Sequence, residues 1–171
     1  MVVLSSTMER PELVSKKTRE ILNKAAVYSK NPSIIITSGW RSPSRQANAM
    51  FENLSKGDRI RYAAAGREVM KVYNENAKKH KEEVIELMIK KINELSERGQ
   101  RVSLHCVSDA EYRKLNIVDV SKHIPNPRDF VKELVKEDAV VRVITPISSD
   151  YNNKKVSVDV SEPCIHIEIK Q

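Results

Sequence analysis

The sequence predicts an α+β fold in which N-terminal helices pack on a mainly antiparallel sheet. Two observations support this class. Apolar residues recur at helical spacing over residues 10–98, whereas β-branched and polar residues alternate after residue 101. Helices that precede a group of strands are typical of α+β proteins. The chain has no repeat, low-complexity tract or linker, so we expect residues 1–171 to form a single domain.

The N-terminal part is predicted to be helical with one strand. Residues 10–30 have an apolar side at helical spacing, and Pro11 suits the first turn of a helix. Asn31-Pro32-Ser33 ends this helix, and a short β-branched strand follows at residues 34–37. The same spacing predicts further helices over residues 44–54, around residues 58–74 and from about residue 76 to 98, ending at Gly99.

The C-terminal part is predicted to consist mostly of strands. The alternating segments are residues 101–107, 116–120, 140–145, 155–160 and 164–169. One helix interrupts them, with Asn126 as its N-cap, Pro127 in the first position and an end at Lys136. The last two strands lie on either side of Ser161-Glu162-Pro163.

The last predicted strand has two chemically different faces. Side chains of a strand point alternately to opposite sides, so three isoleucines share one face and three reactive residues share the other. The first group is Ile165, Ile167 and Ile169, and the second is Cys164, His166 and Glu168. We expect the isoleucine face to be buried in the core. The other face is then expected either to be exposed to solvent or to have a functional role.

Three residues on separate predicted strands carry the ligand chemistry of a catalytic zinc site: His105, Asp119 and His166. Asp119 lies between Val118 and Val120, where a carboxylate is costly unless a charged or hydrogen-bonding group meets it. Two neutral imidazoles and one carboxylate leave a fourth position for water, and a nearby glutamate then serves as general base. On spacing alone, a structural role for each histidine stays open.

Charge and hydropathy limit the partners. Thirty Lys and Arg against 23 Asp and Glu give a net charge of +7, which suits an anionic partner such as cell-wall polymer or nucleic acid. The basic residues are interleaved with acids, and aromatic residues make up only 5%, so we do not expect nucleic-acid binding. No stretch approaches the ~18 apolar residues of a membrane helix. The N-terminus lacks a signal-peptide pattern, so we expect the protein to stay in the cytoplasm or to leave by a non-Sec route. We also expect a monomer.

Three short motifs resemble those of the zinc D-alanyl-D-alanine carboxypeptidases and phage endolysin L-alanyl-D-glutamate peptidases, the LAS metallopeptidases. Residues 38–42, Ser-Gly-Trp-Arg-Ser, followed by Arg45-Gln46, are similar to the family's "SGYRS…Q" signature. Ser103-Leu104-His105 with Ala110 resembles the start of the "SxHxxGxAxD" motif. Residues 162–168 resemble the final strand segment that contains "ExxH". The order of the motifs along the chain also agrees.

The resemblance implies a zinc-dependent peptidase that hydrolyses a peptide bond in bacterial peptidoglycan. The implied zinc ligands are His105, Asp119 and His166. The implied general base is Glu162, with Glu168 as the second choice. The implied substrate-binding residues are Arg41, Trp40 as a pocket wall, and Ser103 and Gln46 in support. Arg41 has a planar guanidinium that can hold a carboxylate bidentately. On the residues alone, a core position for Trp40 and a structural ion pair for Arg41 are favoured.

The chain departs from the family pattern at three positions. Ser108 stands where the family has glycine, and Tyr112 stands where it has the metal-binding aspartate, which Asp119 restores seven positions later. Glu162 lies four residues before His166 rather than three, so an extra residue or a β-bulge is required. The sequence therefore predicts either a divergent enzyme or a scaffold without metal chemistry.

The second case has two forms. One is a catalytically inert module that binds cell-wall polymer or nucleic acid. The other is a structural component of a phage or secretion assembly.

Overall fold

The structure of the protein is a computed structural model that describes residues 1–57 and 62–171. Among these residues the helices are a short 3-10 helix at Pro11–Leu13 and α1 (Lys16–Tyr28), α2 (Pro43–Ser55), α3 (Ala64–Asn76), α4 (Lys81–Glu97), α5 (Asp109–Tyr112) and α6 (Pro127–Leu134). The strands are β1 (Val2–Leu4), β2 (Ile34–Ser38), β3 (Leu115–Val120), β4 (Val140–Thr145), β5 (Val156–Val158) and β6 (Ile165–Lys170). The predicted α+β class is confirmed.

The chain divides into two compact units. The sheet unit consists of Met1–Trp40 and Ser108–Gln171, and it contains all six strands with α1, α5 and α6. The helical unit consists of Arg41–Val107 and contains α2, α3 and α4. The single domain expected over residues 1–171 stays a prediction. No helix in the described part of the chain has the length and apolar character needed to cross a membrane.

The sheet is mixed, which corrects the prediction of a mainly antiparallel one. Its strand order is β1-β2-β3-β6-β4-β5. The three inner pairs are antiparallel, but β1 pairs with β2 and β5 pairs with β4 in parallel. The two C-terminal strands therefore do not pair with each other. Alternation predicts that a segment is extended, but it does not determine which strand becomes its neighbour.

The isoleucine face of β6 forms the core of the sheet unit, as predicted. Ile165, Ile167 and Ile169 are all fully buried. They belong to one cluster with apolar residues of α1 and α6, which include Leu22 and Phe130. Burial of an isoleucine side chain stabilises a fold by up to about 1.5–3 kcal/mol, so this face fixes which side of β6 points away from the core.

The helical unit has a separate apolar core contributed by one face of each of its three helices. Its buried members are Ala47, Met50, Val69, Val84, Met88, Ile92, Leu95 and Val102. Gly99 ends α4 as predicted and has a φ of 71°, a conformation that favours glycine. The amides of Gly99 and Gln100 donate to the carbonyls of Ser96 and Leu95, as in a Schellman motif.

Three of the predicted elements differ in extent. The helix predicted at residues 10–30 begins as the 3-10 helix, and α1 starts only after Ser15, whose side chain accepts a hydrogen bond from the Thr18 amide. The helix predicted around residues 58–74 is α3, at Ala64–Asn76, and residues 58–61 lie outside the described part. Asn126 occupies the N-cap position of α6, but its side chain donates to the Lys30 carbonyl instead of capping the helix.

The prediction of a strand at residues 101–107 is wrong, because this segment consists of turns and bends. Its buried residues, Val102 and His105, are three positions apart, whereas burial on one face of a strand repeats every two residues. Cys106 donates its amide to the Ser103 carbonyl at 3.1 Å, which closes a turn around His105. Ser103 and His105 therefore do not share a strand face.

Two elements, β1 and α5, were not predicted from the sequence. Strand β1 has only three residues. Helix α5 is a single turn, but Ser108 and Glu111 form a capping box at its start, with reciprocal bonds between side chain and backbone. The Ser-x-x-Glu spacing was the signal that could have identified this helix.

Candidate metal centre

Asp119 and His166 face each other across the two central strands. The antiparallel register of β3 and β6 is regular and pairs Asp119 directly with His166. Side chains of directly opposed residues lie on the same face of a sheet. The Asp119 Oδ1 atom is 3.1 Å from the Nδ1 atom of His166. Asp119 is only 6% exposed, so His166 supplies the partner that a carboxylate between two valines was expected to need.

The charged form of His166 is strongly favoured in the metal-free protein. Burial alone would lower the pKa of its imidazole. The neighbouring carboxylates of Asp119 and Glu168 outweigh that effect and raise the pKa of His166 from 6.5 to about 9. Asp119 and Glu168 therefore favour a positive charge at the position of the His166 ring.

Glu168 contributes a second buried carboxylate to the same face of β6. Its Oε1 atom lies 3.6 Å from the Nε2 atom of His166 and 3.7 Å from the Nη1 atom of Arg142. These distances are too long for good hydrogen bonds, and this buried oxygen has no hydrogen-bond partner in the described part of the chain. Arg142 lies opposite Glu168 in the pairing of β4 with β6. Sequence reasoning missed Arg142, because it did not predict that β4 and β6 are neighbours.

His105 lies in the turn segment that follows α4, and only 5% of its surface is exposed. Its carbonyl accepts a hydrogen bond from the Arg41 amide at 2.9 Å, and its own amide donates to Ser103 Oγ at 3.2 Å. These bonds hold the backbone of His105 although it is not part of a strand.

Two of the three predicted zinc ligands, Asp119 and His166, lie together in the sheet unit, whereas His105 belongs to the helical unit. Asp119 and His166 bring a carboxylate oxygen and a ring nitrogen to the same face of the sheet. Two ligands of a tetrahedral zinc ion are about 3.4 Å apart when both bonds are about 2.1 Å long. The 3.1 Å between Asp119 Oδ1 and His166 Nδ1 is close to that separation. This distance suits two ligands of one metal ion.

Glu162, the preferred general base, lies in the turn before β6 and is half-buried. Burial raises the pKa of its carboxyl group, and the repulsion from Asp119 and Asp159 acts in the same direction, whereas His166 lowers it. The carboxylate is therefore close enough to interact with both Asp119 and His166. The register of β3 and β6 contains no bulge, so the extra residue relative to the family motif belongs to this turn.

Arg41 and Gln46, two of the predicted substrate-binding residues, contact each other in the helical unit. The Arg41 Nη1 atom donates to Gln46 Oε1 at 3.3 Å, and Gln46 is buried on α2. Ser42 caps α2 by accepting a hydrogen bond from the Arg45 amide. The backbone bond from Arg41 to His105 also joins the first predicted motif to the second. Ser103, the third of these residues, binds the His105 amide.

Trp40, the predicted pocket wall, interacts with Arg10 in the sheet unit. The Arg10 guanidinium lies 5.4 Å from the centre of the indole ring, and it forms ion pairs with Glu12 and Asp109. Trp40 is half-buried. This contact gives the tryptophan a structural function, whether or not it also contacts a substrate.

Gly39 is required for space rather than for a left-handed turn. A Cβ atom at this position would lie 2.9 Å from Met8 Cε and 3.0 Å from Tyr112 Oη. The Tyr112 hydroxyl is buried and donates to the Ile117 carbonyl at 2.6 Å. Tyr112 is therefore a core residue at the position where the related motif has a metal-binding aspartate.

Comparison of the chain with protein-family models, with curated proteins and with solved structures found no match. The resemblance to the LAS metallopeptidases stays a prediction from the three motifs.

Proposed function

We propose that the protein is a zinc-dependent peptidase that hydrolyses a peptide bond in bacterial peptidoglycan peptides. The observation that carries this proposal is the largely buried pair of Asp119 and His166 in the sheet unit, whose Oδ1 and Nδ1 atoms lie 3.1 Å apart. His105 is the third proposed ligand. Two imidazoles and one carboxylate are a typical ligand set of catalytic zinc, because they leave the fourth position open. A zinc ion bound there supplies a polarised water with a lowered pKa.

Glu162 is the residue of the chain best suited to accept the proton of the attacking water. It lies in the turn that leads into β6, and it interacts electrostatically with Asp119 and His166. Burial raises its carboxyl pKa, which brings a general base closer to neutral pH and so favours proton transfer in both directions. Its backbone carbonyl is held by Lys122 Nζ at 3.4 Å.

Arg41 is proposed to bind a carboxylate of the peptide substrate. Its side chain is held at one end by Gln46, which limits the conformations of the guanidinium before a ligand arrives. A restrained planar fork loses less conformational entropy when it forms two parallel hydrogen bonds. The net charge of +7 also favours acidic peptides over basic ones.

The first experiment measures metal content and hydrolysis in the same preparation. We expect one zinc per chain by elemental analysis. We also expect peptidoglycan peptides to be cleaved by the zinc-loaded protein, as detected by liquid chromatography and mass spectrometry, but not after chelation. His166→Ala should abolish both properties, whereas substitution of the exposed His80 by alanine should change neither.

A chain that takes up no zinc, or that loses none on substitution of His166, would refute the metal site. A zinc-loaded chain that leaves every peptidoglycan peptide intact would refute the peptidase. In that case the alternative of a binding or structural module would be favoured.

A further inference from the structure

We infer that Glu168 is a positioning residue of the metal centre: it accepts the Nε2–H of His166 and so leaves Nδ1 as the atom that binds the metal. This inference rests on the proposed metal binding by His166. It specifies which ring nitrogen of His166 binds the metal and which carries the proton. It also gives a function to the Glu168 carboxylate, which the proposed reaction does not use.

The two carboxylates near His166 lie at different ring nitrogens. Asp119 Oδ1 is 3.1 Å from Nδ1, and Glu168 Oε1 is 3.6 Å from Nε2. Asp119 is one of the proposed zinc ligands. An ion shared by Asp119 and His166 would therefore be held through Nδ1, the nitrogen nearest to Asp119. The proton of the neutral ring would then reside on Nε2, the nitrogen nearest to Glu168.

The surroundings of Glu168 support this assignment. Its Oε1 atom is buried and has no hydrogen-bond partner among the described residues, which is uncommon for a polar atom in a protein interior. The nearest donors are His166 Nε2 at 3.6 Å and the Arg142 guanidinium at 3.7 Å. A movement of less than about 1 Å would bring Oε1 to hydrogen-bond distance from Nε2. Arg142 meanwhile compensates the negative charge of the buried carboxylate.

The same geometry separates Glu168 from the general base. The Glu168 carboxylate lies at Nε2 of the His166 ring, whereas Asp119 lies at Nδ1. A carboxylate in that position orients the ring and increases the basicity of the ligand nitrogen. Glu162 remains the candidate for proton transfer from water.

The test measures which nitrogen of His166 is protonated when zinc is bound. In the ¹⁵N-labelled wild-type protein loaded with zinc, NMR should show a proton on Nε2 and a metal-shifted Nδ1. Zinc affinity is measured in parallel by competition with a chelator. Glu168→Ala should weaken zinc binding by about 10- to 100-fold, as is typical when the partner of a ligand histidine is removed. Glu168→Gln keeps an acceptor oxygen and should recover most of that affinity.

Controls separate this effect from general loss of stability. Glu97 is an exposed carboxylate in the helical unit, and Glu97→Ala should bind zinc like the wild type. The wild-type NMR experiment needs no variant, so it decides the question even if Glu168→Ala fails to fold.

The outcomes distinguish this inference from the proposed function. A metal bound through Nε2, or an unchanged affinity in a folded Glu168→Ala, overturns the inference and leaves the peptidase standing. The predicted protonation together with inactivity on every peptidoglycan peptide supports the inference and refutes the peptidase. Failure of the wild-type protein to bind zinc overturns both.

Discussion

Replacement of Asp119 by asparagine should greatly reduce the pH dependence that His166 gives to the stability of the protein without bound metal. In the folded chain the pKa of His166 is raised to about 9, whereas an unfolded chain has the ordinary value of about 6.5. A raised pKa means that folding favours the protonated form. The stabilisation is therefore fully present below about pH 6.5 and is lost as the pH rises through about 9.

The magnitude follows from the size of the pKa difference. Each pKa unit corresponds to about 1.4 kcal/mol, so the rise in the pKa of His166 sets an upper limit of about 3 kcal/mol, and relaxation of the site reduces it to about 1–3 kcal/mol. His166 and Asp119 are both largely buried, so solvent screens their interaction only weakly. Asparagine has the shape of aspartate but no charge, so it should abolish most of this stabilisation.

The assay is urea denaturation in the presence of EDTA at pH 6 and at pH 9.5. We expect the wild-type protein to be less stable at the higher pH by about 1–3 kcal/mol, and Asp119→Asn to show a much smaller difference. Asp109→Asn is the matched control, because Asp109 forms its ion pair with Arg10 at a partly exposed position. Parallel stability curves for the wild type and Asp119→Asn would refute the reasoning, since they would mean that Asp119 does not raise the pKa of His166.

Three further predictions concern catalysis and the glycine of the first motif. Glu162→Gln should abolish peptide hydrolysis without loss of bound zinc, and Glu168→Gln should reduce hydrolysis much less. Activity assays combined with zinc analysis measure both effects. If Glu168→Gln is the more damaging change, Glu168 is the general base. Arg41→Ala and Arg41→Lys should each lower kcat/KM by about 10- to 100-fold, with zinc content and Tm unchanged, because the bond to His105 uses only the backbone of Arg41. Unfolding of Arg41→Ala would show a structural role instead. Gly39→Ala should destabilise the protein by about 1–3 kcal/mol, because the new methyl group displaces the Tyr112 hydroxyl. In a double-mutant cycle the cost should be smaller in Tyr112→Phe, and additive effects would exclude this clash.

The sequence was sufficient to predict a helix or strand when only one orientation of that element buries its apolar side chains. In β6, three isoleucines alternate with Cys164, His166 and Glu168, so only one orientation buries an apolar face. The helices around residues 16–28 and 81–97 also have long apolar stripes at one spacing. In each case the local pattern and the tertiary structure favour the same conformation.

The sequence was not sufficient where the structure depends on which segments become neighbours. The pairing of β5 with β4, and of β4 with β6, involves contacts between segments whose patterns are equally compatible with other partners. For the same reason, the position of Asp119 directly opposite His166 could not be derived from spacing. The segment at 101–107 is short and partly apolar, and such a pattern does not separate a strand from a buried turn.

The departures from the family motif have a structural explanation that bears on the choice between an enzyme and an inert scaffold. Residues 109–112 form a capped turn of helix, and the Tyr112 hydroxyl at its end binds the Ile117 carbonyl. This bond holds β3 two residues before Asp119, in the register that pairs Asp119 with His166. Residues 109–119 thus place a core tyrosine at position 112 and an aspartate opposite His166 in β3.

The burial of Asp119 and Glu168 bears on that choice. Burying each carboxylate has a desolvation cost, and among the described residues the Glu168 Oε1 atom has no hydrogen-bond partner. Apolar residues at positions 119 and 168 would remove both costs and extend the valine and isoleucine pattern of the strands. A bound divalent cation offsets the same costs, because it neutralises Asp119 and orients the His166 ring so that Nε2–H faces Glu168. The burial of both carboxylates beside His166 therefore favours a metal centre over a decayed one.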